Sequence, residues 1–261
     1  MKKVLLIICG LLLTAAVDAK IVSQNLEYKH GDAVLEGYLA YDDAAKGKRP
    51  GVLVVHEWWG LNDYVRTRVD KLAELGYVAF ALDMYGKGIW TTDPKKAGEL
   101  SGHLRGKPIM RERARAGLDI LRKNEKVDTQ RIAAIGYCFG GTTVLELAYG
   151  GADIRGGVSF HGGLSVPKPE DMGAIKAKIL VLHGADDAFV SSENIAAFQD
   201  GMRQAGADWQ MVYYGSAVHS FTNPAADKAN VKGLAYNSTA DQRSWKHMQI
   251  FFEEIFADRK Q

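Results

Sequence analysis

Short apolar segments alternate with helical segments from Pro50 to the C-terminus, and this alternation limits the possible folds more than any other feature. The runs "GVLVVH" (51–56), "YVAFALD" (77–83) and "RIAAIGY" (131–137) are typical of strands that are covered on both faces. Residues with helical periodicity follow each run, over 62–75, over 94–104 and 109–123, and from 142 onward. This order predicts a mainly parallel sheet with helices on both faces.

The rest of the chain continues the alternation and adds a hairpin before it. Three more strands are predicted at 155–161, 178–184 and 209–214, with helices over 192–206 and 241–257. Before Pro50, apolar residues near Leu26 and from Val34 onward flank the turn residues Gly31 and Asp32, a pattern typical of an antiparallel hairpin. No Pro-, Gly- or Ser-rich linker divides the sequence. We therefore predict one α/β domain over residues 20–261.

Composition and charge agree with this prediction and make some functions improbable. The 261 residues are 47% hydrophobic and 25% charged, as in a folded soluble protein. The formal net charge is only +2, so charge gives no reason to expect a nucleic acid or an anionic membrane as a partner. No pair of histidines has a metal-site spacing such as H-x-x-x-H, and we expect neither a metal nor a cofactor.

The first 19 residues have the pattern of a secretory signal peptide. Two lysines precede an apolar run from Val4 to Leu13, and small residues follow it up to Ala19. The apolar run is shorter than the roughly 20 residues that span a bilayer. We expect cleavage after Ala19 and export to the periplasm or the medium. The alternative is an uncleaved membrane anchor.

Cleavage would leave Cys138 as the only cysteine, since the other is Cys9. Cys138 lies in "GYCFG" (136–140), which has the form G-x-nucleophile-x-G and stands between a predicted strand and a predicted helix. In that context the pattern indicates a nucleophile elbow. Glycines permit the tight turn, and the free N–H groups of the helix start favour a thiolate and an oxyanion. The alternative is a small buried side chain, the usual role of a free cysteine.

An elbow requires an acid and then a histidine, each after a later strand. Asp186 and Asp187 follow the predicted strand 178–184, and His219 follows the strand 209–214. The histidine would accept the thiol proton, and the aspartate would orient the imidazole. Either residue alone could simply stabilise a loop. The order of all three favours a catalytic triad.

These residues and several short motifs resemble the dienelactone hydrolases, which are α/β-hydrolase-fold enzymes with a cysteine nucleophile. The resemblance runs from about Leu26 to the C-terminus. Its motifs are "HEWWGLN" (56–62), "DMYG" (83–86), "GYCFGG" (136–141), "SFHGGL" (159–164), "HGADDAFV" (183–190) and "HSF" (219–221). The resemblance implies an α/β-hydrolase fold and the hydrolysis of an ester or lactone.

The resemblance also implies a role for individual residues. The family's catalytic side chains fall on Cys138, Asp187 and His219, with Asp187 rather than Asp186 three residues before the valine of "DAFV". Glu57 corresponds to a glutamate that interacts with the resting thiol and takes part in forming the thiolate. The N–H groups that bind the oxyanion fall on Trp58 and Phe139.

The sequence departs from the family where the substrate is bound. Enzymes acting on dienelactone hold its carboxylate with two arginines, and this chain has Lys87 and Asn223 there, while Tyr85 is retained. We expect these three residues and Trp59 to contact the substrate. Because lysine lacks the bidentate fork of arginine and asparagine carries no charge, we expect a substrate other than dienelactone.

Together these observations predict an exported hydrolase of carboxylic esters or lactones that acts through a Cys-His-Asp triad and a thioester acyl-enzyme. We expect a small-molecule substrate and a monomer or small homo-oligomer. Two alternatives remain at this point. One is an acyltransferase on the same scaffold, and the other is a binding protein that kept the fold without the reaction.

Overall fold

An eight-stranded sheet forms the centre of the molecule in the computed structural model, which describes residues 20–257. Its strands are β1 (Ile21–His30), β2 (Ala33–Asp42), β3 (Arg49–Val55), β4 (Val78–Leu82), β5 (Val127–Tyr137), β6 (Gly156–Phe160), β7 (Lys178–Gly184) and β8 (Trp209–Tyr214). They lie in the order β1-β2-β4-β3-β5-β6-β7-β8. Pairing is antiparallel for β1–β2 and β2–β4 and parallel elsewhere. The predicted hairpin and mainly parallel sheet are confirmed.

Helices cover both faces of this sheet, as predicted. They are α1 (Asp63–Glu74), α2 (Pro94–Gly102), α3 (Pro108–Lys123), α4 (Phe139–Tyr149), α5 (Ser192–Gln204) and α6 (Ser238–Phe256), with short 3₁₀ turns at Pro169–Asp171 and Ala226–Ala229. Buried residues of α1 and α6 belong to one apolar cluster, and those of α3, α4 and α5 belong to the other. None of the helices within residues 20–257 is long and apolar enough to cross a membrane.

The central strands are apolar without interruption because both of their faces are buried. In β3, Val52 and Val54 pack in the cluster that contains α1 and α6, whereas Leu53 and Val55 pack in the opposite one. None of the four side chains is exposed to solvent. Successive residues of a strand point to opposite faces, so a run without polar residues indicates a strand between two helical layers.

Strand β5 begins before its apolar run. Val127 and Asp128 pair with Arg49 and Pro50, and the register shifts between Pro50 and Gly51 before the main ladder begins. Backbone hydrogen bonds form the ladder without regard to the polarity of the side chains, so the hydrophobic pattern does not indicate this extension. The predicted leader, residues 1–19, lies outside the described residues.

Candidate active site

Cys138 occupies a strained turn at the carboxyl edge of the sheet. Strand β5 ends at Tyr137 and α4 begins at Phe139, and Cys138 between them has φ 53° and ψ −114°. A positive φ is unfavourable for a residue with a Cβ atom, and such strain is concentrated at functional sites. The thiol therefore lies at the positive end of α4, in the position expected for a nucleophile elbow.

Two glycines make this turn possible through close backbone contacts. A Cβ atom on Gly136 would lie 2.1 Å from the carbonyl oxygen of Gly140, and one on Gly140 would lie 2.2 Å from that of Val55. Both distances are below any real van der Waals contact. The packing of α4 against β5 and β3 thus requires glycine at both positions of the G-x-C-x-G motif, 136 and 140.

Asp187 and His219 meet on the same edge of the sheet. They follow β7 and β8, and Asp187 Oδ2 lies 2.8 Å from His219 Nδ1. The other carboxylate oxygen accepts the backbone N–H of Phe189 at 2.9 Å. Asp186 is exposed and its backbone N–H donates to Ala217. Of the two adjacent aspartates, only Asp187 is placed to orient the imidazole.

The surroundings of His219 favour its protonated form. Burial by itself lowers the pKa of His219, but the interaction with the adjacent Cys138 and the hydrogen bond with Asp187 outweigh it and raise the pKa to about 10. The imidazole can therefore stay protonated beside the sulfur at neutral pH. This arrangement suits a histidine that stores the proton of a nucleophilic thiol.

Glu57 lies after β3 and is held by two side chains of the loop that carries His219. Its Oε1 accepts a hydrogen bond from Ser220 Oγ at 2.9 Å, and its Oε2 accepts one from Asn223 Nδ2 at 2.6 Å. Burial raises the pKa of this carboxyl group, and the two hydrogen bonds oppose the rise only in part. The amide of Asn223, expected to contact substrate, is engaged with Glu57. The role of Ser220 was not predicted from the sequence.

The N–H groups of Trp58 and Phe139 lie on the loop after β3 and at the first residue of α4. Within the described part of the chain, neither N–H donates to a protein acceptor. Tyr85, expected to contact substrate, donates a hydrogen bond from its hydroxyl group to the carbonyl oxygen of Trp58 at 2.9 Å. Its ring also packs against Phe139, with a centroid separation of 5.9 Å. Tyr85 thus contacts the residues that carry both N–H groups, Trp58 and Phe139.

A cavity of about 200 Å³ opens onto the thiol. Its walls include the catalytic candidates and several apolar side chains, namely Trp58, Cys138, Phe189, Val190, His219 and Leu234, together with Gly163 and Arg105. Arg105 lies between α2 and α3, and its guanidinium stands 5.4 Å from the ring centroid of Phe139. The sequence analysis did not identify Arg105, because nothing in its local sequence marks it.

Lys87 is not part of this cavity. Its Nζ lies 2.6 Å from Glu27 and 3.8 Å from Glu36, both on the N-terminal hairpin, and about half of the side chain is exposed. The expectation that Lys87 contacts the substrate therefore has no support in its position, because the hairpin glutamates hold it on the outside.

Trp59 lines a neighbouring cavity of about 230 Å³, whose wall also includes Ser220, Asn223 and Leu234.

The sheet order, the strand–turn–helix elbow and the His–Asp pair at the carboxyl edge define the class of the α/β hydrolases. The sequence profile of the dienelactone hydrolase family matches residues 35–256, and the chain belongs to that family. It is a hydrolase, and its substrate is a small molecule. No group of three or more His, Cys, Asp or Glu side chains among residues 20–257 could hold a metal ion.

Similar proteins are found among solved structures and curated sequences. The structure named m3DLH is 43% identical, with a TM-score of 0.88 over 91% of this chain and 99% of that chain. P91, a dienelactone hydrolase-like promiscuous phosphotriesterase from metagenomic libraries, is 41% identical, with the same TM-score and coverage. A candidate carboxymethylenebutenolidase of Methylorubrum extorquens is 27% identical over 254 residues, covering 92% of this chain and 84% of that protein.

Proposed function

We propose that this protein hydrolyses carboxylic esters or lactones through a Cys138–His219–Asp187 triad and a thioester acyl-enzyme. The observation that carries the proposal is the 2.8 Å contact between Asp187 Oδ2 and His219 Nδ1. Cys138 lines the same cavity as His219 and raises the pKa of its imidazole. Nucleophile, base and orienting carboxylate then form one chain of neighbouring groups. A binding protein would have no need for this chain.

In the acylation step, His219 holds the proton of the thiol, and the sulfur of Cys138 attacks the carbonyl carbon. The carbonyl oxygen becomes an oxyanion and accepts hydrogen bonds from the N–H groups of Trp58 and Phe139. When the intermediate collapses, the bond to the leaving oxygen breaks and protonated His219 donates its proton to that oxygen. The product is an alcohol, or the opened chain of a lactone, and a thioester on Cys138.

In the deacylation step, water attacks the thioester while neutral His219 accepts one of its protons. The same two N–H groups hold the second oxyanion. Collapse of this intermediate breaks the carbon–sulfur bond, and the carboxylic acid leaves. The proton on His219 restores the starting state of the pair. An acyltransferase would differ only here, with an alcohol or amine in the place of water.

Glu57 controls the charge beside the thiol in this proposal. A charged carboxylate close to Cys138 opposes formation of the thiolate, whereas a neutral carboxyl group does not. Burial raises the pKa of Glu57, whereas its hydrogen bonds with Asn223 and Ser220 lower it, so the charge of Glu57 depends on both kinds of contact. Because thiolates are the form that oxidants attack, such control would protect the thiol of an exported enzyme between turnovers.

The reaction is tested with p-nitrophenyl acetate and three proteins: wild type, Cys138→Ala and Cys138→Ser. We expect turnover by wild type alone, and mass spectrometry of acid-quenched wild type should show an acetyl adduct on the peptide that contains Cys138. An added alcohol that takes up the acyl group faster than water does would favour the acyltransferase. Equal rates for wild type and Cys138→Ala would exclude the thioester route.

A phosphotriester is the second candidate substrate, because the 41% identical P91 is named as a promiscuous phosphotriesterase. A thiolate that attacks carbon can also attack the phosphorus of an activated triester, with the two N–H groups bound to the phosphoryl oxygen. The bond to the aryloxide breaks as the sulfur–phosphorus bond forms, and water then hydrolyses that bond to release a phosphodiester and the thiol. Hydrolysis of paraoxon by wild type, lost in Cys138→Ala, would support this activity. No release of p-nitrophenol above the buffer rate would exclude it.

We also propose export, on the basis of the residues that precede Lys20. The full-length chain, expressed in a Gram-negative bacterium, is fractionated into periplasm, cytoplasm and membrane. We expect the periplasmic fraction to contain a protein whose N-terminal sequence starts at Lys20. An uncleaved N-terminus in the membrane fraction would favour the anchor instead.

A further inference from the structure

His161 lies between the nucleophile elbow and the loop that carries His219. It follows β6, its side chain is fully buried, and its φ of 40° is in the left-handed region. Its Nδ1 lies 3.2 Å from the backbone nitrogen of Cys138. The same N–H lies 3.0 Å from the carbonyl oxygen of Phe160. The backbone of the strained nucleophile is thus held by two acceptors, one of which is a side chain.

The other ring nitrogen reaches the loop after β8. His161 Nε2 lies 2.7 Å from Thr222 Oγ1, and Thr222 is three residues beyond His219. Because Nδ1 accepts an N–H hydrogen bond, the ring proton must be on Nε2, which donates it to the threonine hydroxyl. The hydroxyl of Tyr64 lies 2.6 Å from Thr222 Oγ1 and completes the chain. A single neutral imidazole therefore forms hydrogen bonds with the backbone of Cys138 and with the loop that carries His219.

The surroundings keep this imidazole neutral. Burial lowers the pKa of His161 well below its ordinary value, and the charges of His219, Arg68 and His183 lower it further. The ring of His219 is at an edge-to-face distance of 5.4 Å, and the ring of Tyr137 is 6.0 Å away. A protonated His161 would lose the lone pair that Cys138 requires and would repel His219.

We propose that His161 is a positioning residue that fixes the nucleophile through Nδ1 and the loop of His219 through Nε2 and Thr222. The proposal rests on the function proposed above, since it concerns the mutual geometry of Cys138 and His219. Misplacement of reacting groups by about 1 Å can slow an enzyme by roughly 100-fold. Separate removal of the two contacts reveals what each contributes.

The Nε2 contact is tested with a matched pair at Thr222. Thr222→Val keeps the shape of the side chain and removes the hydroxyl, whereas Thr222→Ser keeps the hydroxyl. We expect Thr222→Val to lower kcat on p-nitrophenyl acetate by about 10- to 100-fold with little change in KM. Thr222→Ser should remain within about threefold of wild type.

The Nδ1 contact is tested with His161→Asn and His161→Leu. Asparagine tolerates the left-handed backbone and can present Oδ1 where Nδ1 accepts the N–H of Cys138, whereas leucine can do neither. We expect His161→Asn to keep a larger kcat than His161→Leu. Circular dichroism and thermal unfolding show which variants fold, and only those variants are compared.

A further measurement does not depend on turnover: the rate at which iodoacetamide alkylates Cys138, measured as a function of pH. This profile depends on the interaction between the thiol and His219, and a purely structural role of Thr222 would not change it. We expect the profile of Thr222→Val to shift from that of wild type and Thr222→Ser. If all three proteins share one profile and one kcat, the inference is wrong. If wild type cleaves no ester, the proposed function fails, and the alkylation profiles still decide the role of His161.

Discussion

The carboxyl group of Glu57 and the amide of Asn223 form a buried hydrogen bond of 2.6 Å between Oε2 and Nδ2. The orientation of the amide is fixed, because Asn223 Oδ1 accepts the backbone N–H of Ala225 at 2.9 Å. The protein therefore supplies donors that favour a charged carboxylate in a place where burial favours a neutral one. Burial dominates, and the pKa of Glu57 lies above its ordinary value.

This balance predicts how Glu57 affects stability. A carboxyl group with a raised pKa binds more protons in the folded than in the unfolded protein, so its contribution to stability falls as the pH rises through its folded pKa. Glu57→Gln removes this dependence. We expect the free energy of unfolding of Glu57→Gln, relative to wild type, to increase between pH 4.5 and pH 8. Urea unfolding at several pH values measures this difference, and a constant or decreasing difference would contradict the assignment.

The adjacent aspartates provide a matched test of the triad. Asp187→Asn should lower kcat/KM on p-nitrophenyl acetate by roughly 10²- to 10⁴-fold, because an amide can hold the imidazole in the wrong tautomer. Asp186→Asn should have no more than about a twofold effect, since Asp186 is exposed. Comparable losses in both variants would show that the loop, and not the contact with His219, is responsible.

Arg105 and Lys87 provide a similar pair for substrate charge. None of the ion pairs formed among residues 20–257 includes Arg105, which lines the cavity, whereas Lys87 is paired with Glu27 outside it. Arg105→Gln should lower kcat/KM for mono-p-nitrophenyl succinate by about 10-fold and leave the acetate ester nearly unchanged. Lys87→Gln should affect neither ester. Equal losses on both esters in Arg105→Gln would indicate a structural role.

The elbow glycine Gly140 should not tolerate a side chain. Gly140→Ala places a Cβ atom 2.2 Å from the carbonyl oxygen of Val55, and we expect a loss of stability of about 1–3 kcal/mol or more because a backbone must move. Gly98→Ala, in α2 with no heavy atom within 4 Å of the new Cβ, should gain about 0.4–1 kcal/mol. Thermal unfolding compares the two, and a neutral Gly140→Ala would contradict the described packing.

Local patterns were sufficient to predict the sheet, the elbow and the chain order of Asp187 and His219. Each of these depends on residues close together in sequence: an apolar run, a pair of glycines, a polar residue just after a strand. Because parallel strands bring their carboxyl ends to one edge, the pattern also predicted that these side chains would meet.

The contacts that local patterns missed join distant parts of the chain. Arg105 reaches the cavity from the loop between α2 and α3, and Ser220 meets Glu57 across 163 residues. The ion pairs of Lys87 were missed for the same reason, since the glutamates that hold it lie 60 and 51 residues earlier in the hairpin. Which partner a side chain contacts depends on the three-dimensional fold, and a short stretch of sequence does not show it.

The contact between Gly140 and Val55 has a consequence for how this enzyme can diversify. Trp58 follows Val55 closely in sequence, and Phe139 precedes Gly140. The distance between the N–H groups of Trp58 and Phe139 therefore depends on the direct contact between the backbones of Val55 and Gly140, where no side chain intervenes. Substitutions cannot readily widen or narrow that spacing. Phe189 and Leu234, in the cavity wall, are free to vary in size. Under the proposed mechanism, the scaffold would keep the oxyanion site constant while the cavity wall adapts to different acyl groups.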